Sequence, residues 1–72
     1  MKIWLKFKSE DMSDKQFAAV KEYAVEARHG FTEDETSISE YGIMATAVEF
    51  QVVAHKAAEV LYDIMLWIEN YD

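Results

Sequence analysis

The chain of 72 residues has no cysteine, no proline and only two glycines. Without cysteine, neither a disulfide nor a zinc-thiolate site can reinforce a domain near the lower size limit at which one core offsets chain entropy. Neither Gly30 nor Gly42 belongs to a phosphate-binding loop, and His29 has no serine or acid fixed beside it as a nucleophilic pair would need. Long apolar runs are missing too. The N-terminal "MKIWLKFK" alternates lysine with apolar residues, so it has neither the continuous apolar core of a signal peptide nor the length of a membrane span. A cytoplasmic protein with no membrane partner is expected. Positive charge is scarce: seven Lys and Arg face fourteen Asp and Glu, a formal net charge of −7. Between Arg28 and Lys56 the only basic side chains are histidines. Such a chain repels phosphate backbones and anionic lipid, which argues against direct contact with nucleic acid and makes a basic protein surface the natural complement.

What is present is apolar side chain, 51% of the composition, enough for a folded domain rather than a disordered tail. No linker, repeat or low-complexity segment divides residues 1–72, so one domain is expected. Met1, Ile3, Leu5 and Phe7 alternate with Lys2, Trp4, Lys6 and Lys8, the period of a half-buried strand over residues 2–8. Ser13 and Gln16 form an S-x-x-Q capping box, with Met12 placed to staple onto Phe17. Phe17, Val20, Ala24 and Ala27 then recur at helical spacing and Gly30 offers a left-handed stop, giving a helix over about 14–29.

In "ATAVEFQV", Thr46, Val48, Phe50 and Val52 alternate with Ala45, Ala47, Glu49 and Gln51, which reads as a strand. A shorter strand near "TSISEY" and a turn at Gly42 precede it. A helical reading competes, because Thr46 and Glu49 also fit a T-x-x-E capping box and no glycine or proline follows residue 43; alternation over eight residues is the stronger signal. From about His55 the pattern is helical, with Ala54, Ala57, Ala58, Leu61, Ile64, Met65 and Ile68 on one stripe. The order β-α-β-β-α predicts an α+β fold: a three-stranded antiparallel sheet with two helices on one face. In topology this is similar to a ferredoxin-like domain that lacks its last strand. The first strand would then lie at a sheet edge, where Lys2, Lys6 and Lys8 guard against aggregation, although the same edge could accept a partner strand.

Chemistry has few places to reside. His55, Glu59 and Asp63 lie four residues apart on one helical stripe, but one imidazole and two carboxylates are too few to close a metal site. No catalytic residue, metal or cofactor is assigned, and an enzyme is not expected. The last helix is more informative: Val60, Tyr62, Leu66, Trp67 and Tyr71 extend its apolar arc beyond what one sheet contact requires. Together with Trp4, the residues Tyr62, Leu66, Trp67 and Tyr71 are therefore the candidates for self-association, and a homodimer is expected.

Charge is unevenly distributed. Residues 1–28 carry a net +1, residues 29–55 a net −5 and residues 56–72 a net −3. The candidate partner-binding residues are Glu33, Asp34, Glu35, Glu40, Glu49, Glu59 and Asp63, carboxylates able to stand in for phosphates on a basic surface. In size and charge the chain resembles the small acidic inhibitors typical of phage, including anti-CRISPR and anti-restriction proteins. That resemblance implies a non-catalytic inhibitor occupying a nucleic-acid-binding surface. The alternative is a homo-oligomeric structural or adaptor module in which acidity serves solubility and the aromatic helix is the working surface.

Overall fold

A computed structural model describes residues 1–30 and 38–71, the side chains of 28–30 excepted. Strand β1 (Lys2–Lys8) leads through a 3-10 turn at Ser9–Asp11 into helix α1 (Asp14–Gly30). Strands β2 (Ile38–Ile43) and β3 (Ala47–Val53) follow, then a 3-10 turn at Ala54–Lys56 and helix α2 (Ala57–Glu69). The fold is α+β, and residues 47–53 take the strand rather than the helical alternative, while Ala45 and Thr46, assigned to that strand from the sequence, fall in the turn before it.

The sheet order is β1-β3-β2, with β3 antiparallel to both neighbours. Ile3, Leu5 and Phe7 pair with Val52, Phe50 and Val48. These six turn to the face covered by the helices, while Lys2, Trp4, Lys6 and Lys8 take the opposite face and stay exposed. Both helices contribute to the same core as the sheet: Phe17, Val20, Tyr23 and Ala24 of α1 and Val60 and Ile64 of α2 are buried with Ile38, Val48, Phe50 and Val52.

Three local features follow from the residues present. Gln16 N–H donates to Ser13 Oγ at 3.1 Å and Ser13 N–H to Gln16 Oε1 at 2.9 Å, the reciprocal capping box that satisfies two otherwise unpaired donors. Met12 packs against the core cluster to which the buried Phe17 belongs. At the other end of the fold, Asn70 closes α2 by donating its side-chain Nδ2 to the Leu66 carbonyl at 2.9 Å.

Two expectations need correction. The turn does not fall at Gly42, which lies within β2; it falls at Met44–Thr46, where Met44 N–H donates to the Ala47 carbonyl at 2.8 Å. Glycine attracts a turn assignment because it tolerates unusual backbone angles, but Gly42 sits in regular strand beside Glu49, whose Cγ would lie at an ordinary contact distance of 3.6 Å from an added Cβ. The buried stripe of α2 is also rotated. Ala57, Val60, Ile64, Trp67 and Ile68 face the core, while Ala58, Leu61 and Met65 are exposed. Both stripes are apolar, so hydrophobic period alone could not choose between them.

A bulge between Ile38 and Glu40 shifts the register of β2, so that Ile38 opposes Val52 and Tyr41 opposes Phe50. Regular alternation would send residues three apart to opposite faces; the extra residue, Ser39, lets both reach the core. Replacement Ser13→Ala is expected to destabilise the fold by about 1 kcal/mol, and Phe50→Ala by roughly 3–5 kcal/mol. Urea denaturation of the two variants beside the parent chain measures both; equal losses would mean that Phe50 is not the centre of the core.

Candidate functional site

The carboxylates assigned from sequence are distributed over two faces. Glu40 and Glu49 stand on the open side of the sheet, where Glu49 pairs in register with Lys6 on one flank and Gly42 on the other, and Glu40 with Gln51. Glu59 lies in the first turn of α2, where a negative charge complements the helix dipole, and meets Lys56 Nζ at 3.5 Å. With both groups well exposed, that ion pair contributes little to stability. Asp63 follows one turn later and is exposed. Glu33, Asp34 and Glu35 lie outside the described residues.

Two tyrosines connect the helices electrostatically. Tyr23 of α1 is buried, and its phenol is pushed up to about 12 by removal from water and, secondarily, by the charge of Asp63 on α2. Tyr71, after α2, is held above the usual phenol range first by a hydrogen bond to Glu22 of α1, then by desolvation and the Glu22 charge. Glu22 and Asp63 therefore belong to one acidic helical layer, together with the exposed Asp14, Glu26, Glu59 and Glu69. Cations stand among them, Lys15, Lys21 and Arg28 in the α1 sequence and Lys56 ahead of α2, and Lys21 sits 5.1 Å over the Phe17 ring. Glu22 and Glu26 were not singled out from the sequence because residues 1–28 as a block carry a net +1; the fold separates them from Lys2, Lys6 and Lys8 of β1, while Lys15, Lys21 and Arg28 remain on α1.

The aromatic candidates also divide. Trp4 is 48% exposed on the open sheet face, and Tyr62 is 63% exposed on α2 with Leu66 beside it. Trp67 instead turns inward, its ring edge-to-face with Tyr23 at 5.7 Å. The Trp67 Nε1 donor is buried with no acceptor among the described residues. Tyr71 is half-buried against α1. Leu61 and Met65, placed in the core stripe from sequence, join Tyr62 and Leu66 to form the exposed apolar face of α2.

His55 belongs to the 3-10 turn ahead of α2 rather than to the helix carrying Glu59 and Asp63. Among the described residues, no three histidine or acidic side chains converge as metal ligands. No described helix is long and apolar enough to cross a membrane. A groove of about 420 Å³ opens where β1 meets the β2–β3 turn, lined by Lys6, Lys8, Glu10, Met44 and Thr46 among others. No protein-family model matches this sequence, nor does any curated protein or solved structure with which it was compared.

The raised Tyr23 value carries a pH dependence. An unfolded tyrosine loses its proton near pH 10 and the folded one near pH 12. Between these values the unfolded chain binds fewer protons, so stability falls as pH rises, by about 2–3 kcal/mol across that window. Urea titrations at a series of alkaline pH values should show this loss, and Tyr23→Phe should reduce its slope, leaving the smaller contribution of Tyr71. An unchanged slope would mean that Tyr23 titrates normally.

Proposed function

We propose that this chain is a non-catalytic, cytoplasmic binding domain that lays its acidic surface on the basic, nucleic-acid-binding surface of a partner protein, as phage inhibitors of the anti-CRISPR and anti-restriction kind do. The observation that carries the reading is the exposed carboxylate layer on α1 and α2. Among the described residues, only Glu59 of that layer forms an ion pair. The excess of carboxylates is greatest on α2, which carries Glu59, Asp63 and Glu69 and no lysine or arginine, and packing on the sheet holds that negative charge rigidly. Such charge steers association with a basic groove and competes there with phosphate. The acidic stretch Glu33, Asp34 and Glu35 belongs to the same reading through its sequence alone.

The fold reading that accompanies this is a ferredoxin-like sheet without its last strand. The order β1-β3-β2, in which β3 lies between two strands joined through α1, supports it. Such a platform holds both helices on one side of the sheet and fixes the spacing of their charges.

A second reading has its own observation. Tyr62 and Met65 are each more than three-fifths exposed, with Leu61 and Leu66 between and beside them. Four large apolar side chains on one helical face of a small domain are the kind of patch that marks a protein contact. A homodimer through α2 would cover them and add buried apolar area to a small core.

The two readings differ in their response to salt. Binding to an immobilised basic nucleic-acid-binding protein is expected to weaken steeply with salt. It should fall at least about tenfold in Glu59→Lys/Asp63→Lys and in Glu33→Lys/Asp34→Lys/Glu35→Lys, since each change exchanges attraction for repulsion. Sedimentation of the free chain tests the other reading: a salt-tolerant dimer dispersed by Met65→Glu/Leu66→Glu supports the α2 interface. Charge-reversed variants that bind as well as the parent would remove the inhibitor reading.

A further inference from the structure

The outer edge of β1 carries a pattern of its own. Ala54 N–H donates to the Met1 carbonyl at 2.9 Å and Ser9 N–H to the Thr46 carbonyl at 2.9 Å. Both pairs continue the β1–β3 register beyond its two ends, so the odd-numbered residues of β1 direct their main-chain groups toward β3. In an antiparallel ladder the residues between them point their N–H and C=O groups away from that partner. Those residues are Lys2, Trp4, Lys6 and Lys8. β1 ends the sheet on this side, and no other described strand pairs with it.

We infer that this edge is a docking site for an extended acidic segment of a partner protein, added as a fourth strand antiparallel to β1. Charge complementarity selects that occupant. Residues directly opposite each other in a ladder place their side chains on the same face, and opposite charges there attract. A strand with carboxylates facing Lys8, Lys6 and Lys2 and an aromatic or β-branched residue facing Trp4 matches the outer face. Its intervening apolar residues would meet Ile3, Leu5 and Phe7, which are only half-buried at this edge of the core.

A second copy of β1 fits poorly. Antiparallel self-pairing in register sets Lys2 against Lys6, or Lys2 against Lys8, and like charges directly opposite each other destabilise the pair. Strand β2 of another copy offers a bulge and the single acid Glu40. The site lies apart from the acidic helical layer and does not depend on the inhibitor reading.

The test uses the synthetic peptide Glu-Val-Glu-Val-Tyr-Val-Glu and its counterpart with lysine in place of each glutamate. Amide hydrogen exchange of the full chain is followed with each peptide. The glutamate peptide should slow exchange at Trp4, Lys6 and Lys8 and leave Leu5 and Phe7 unchanged; the lysine peptide should do neither. Lys6→Pro removes an outward N–H that makes no bond to β3, so it should abolish peptide binding while thermal unfolding still shows a cooperative fold. Lys6→Glu/Lys8→Glu should weaken the glutamate peptide roughly tenfold and now accept the lysine peptide. Equal protection by both peptides, protection confined to α2, or no protection at Trp4, Lys6 and Lys8 would overturn the inference. So would a Lys6→Pro chain that folds and binds as the parent does.

Discussion

The fold depends on one side chain, Phe50, at the middle of the central strand. Its ring meets Phe7 of β1 edge-on at 5.9 Å and Tyr23 of α1 at 5.8 Å, and Tyr23 in turn meets Trp67 of α2 at 5.7 Å. Four rings thus join two strands and both helices in one series of edge-to-face contacts. Each contact adds about 0.5–1.5 kcal/mol to the area it buries. In a domain this small, whose whole stability is on the order of several kcal/mol, that series is a large share of what holds the layers together. The β1-β3-β2 order makes it possible, because only a central strand has neighbours on both sides and helices above.

The same contacts explain why α2 presents an apolar face outward. Tyr23 is buried on α1 and requires a partner ring from α2, and Trp67 supplies it. Once Trp67 is inward, the helical period turns Val60 and Ile64 to the core and sends Leu61, Tyr62, Met65 and Leu66 away from it. Exposure of those four is therefore a consequence of how the core is assembled. Whatever covers them must accept a surface fixed by Trp67, whose indole donor remains without an acceptor among the described residues. Burying such a donor has a cost in the range of about 1–3 kcal/mol, which the ring contact and the buried area of the indole offset.

Much of the fold was legible because some signals in the sequence have one physical reading. The alternation of lysine and apolar residues in β1 fits no helix, and Ser13 and Gln16 cap a helix start wherever they are found at that spacing before an apolar period. Val48, Phe50 and Val52 identified β3 for the same reason as β1. The rotation of α2 was not legible, since its two stripes are equally apolar and the choice rests on a ring contributed by a helix some forty residues earlier. Nor was the bulge at Ser39, which shows itself only when Ile38 and Tyr41 are both found facing the core. The acidic site was legible in part. Glu59 and Asp63 were identified on a helix, whereas Glu22 and Glu26 were masked in the block charge by six cations, of which the fold carries only Lys2, Lys6 and Lys8 to the far side of the sheet.

That separation decides how the net charge should be understood. A value of −7 suggests a uniformly acidic particle, yet the fold divides it. The helices carry most of the described carboxylates, while Lys2, Lys6 and Lys8 line one edge of the sheet. Charges within one layer reinforce each other, and those on opposite sides of a small domain are separated by more than the screening length of roughly 8 Å at physiological salt. A partner at either surface therefore feels mainly the local sign. The helical layer and the β1 edge differ in local sign, so a chain too small for a deep cleft still presents two electrostatically distinct surfaces.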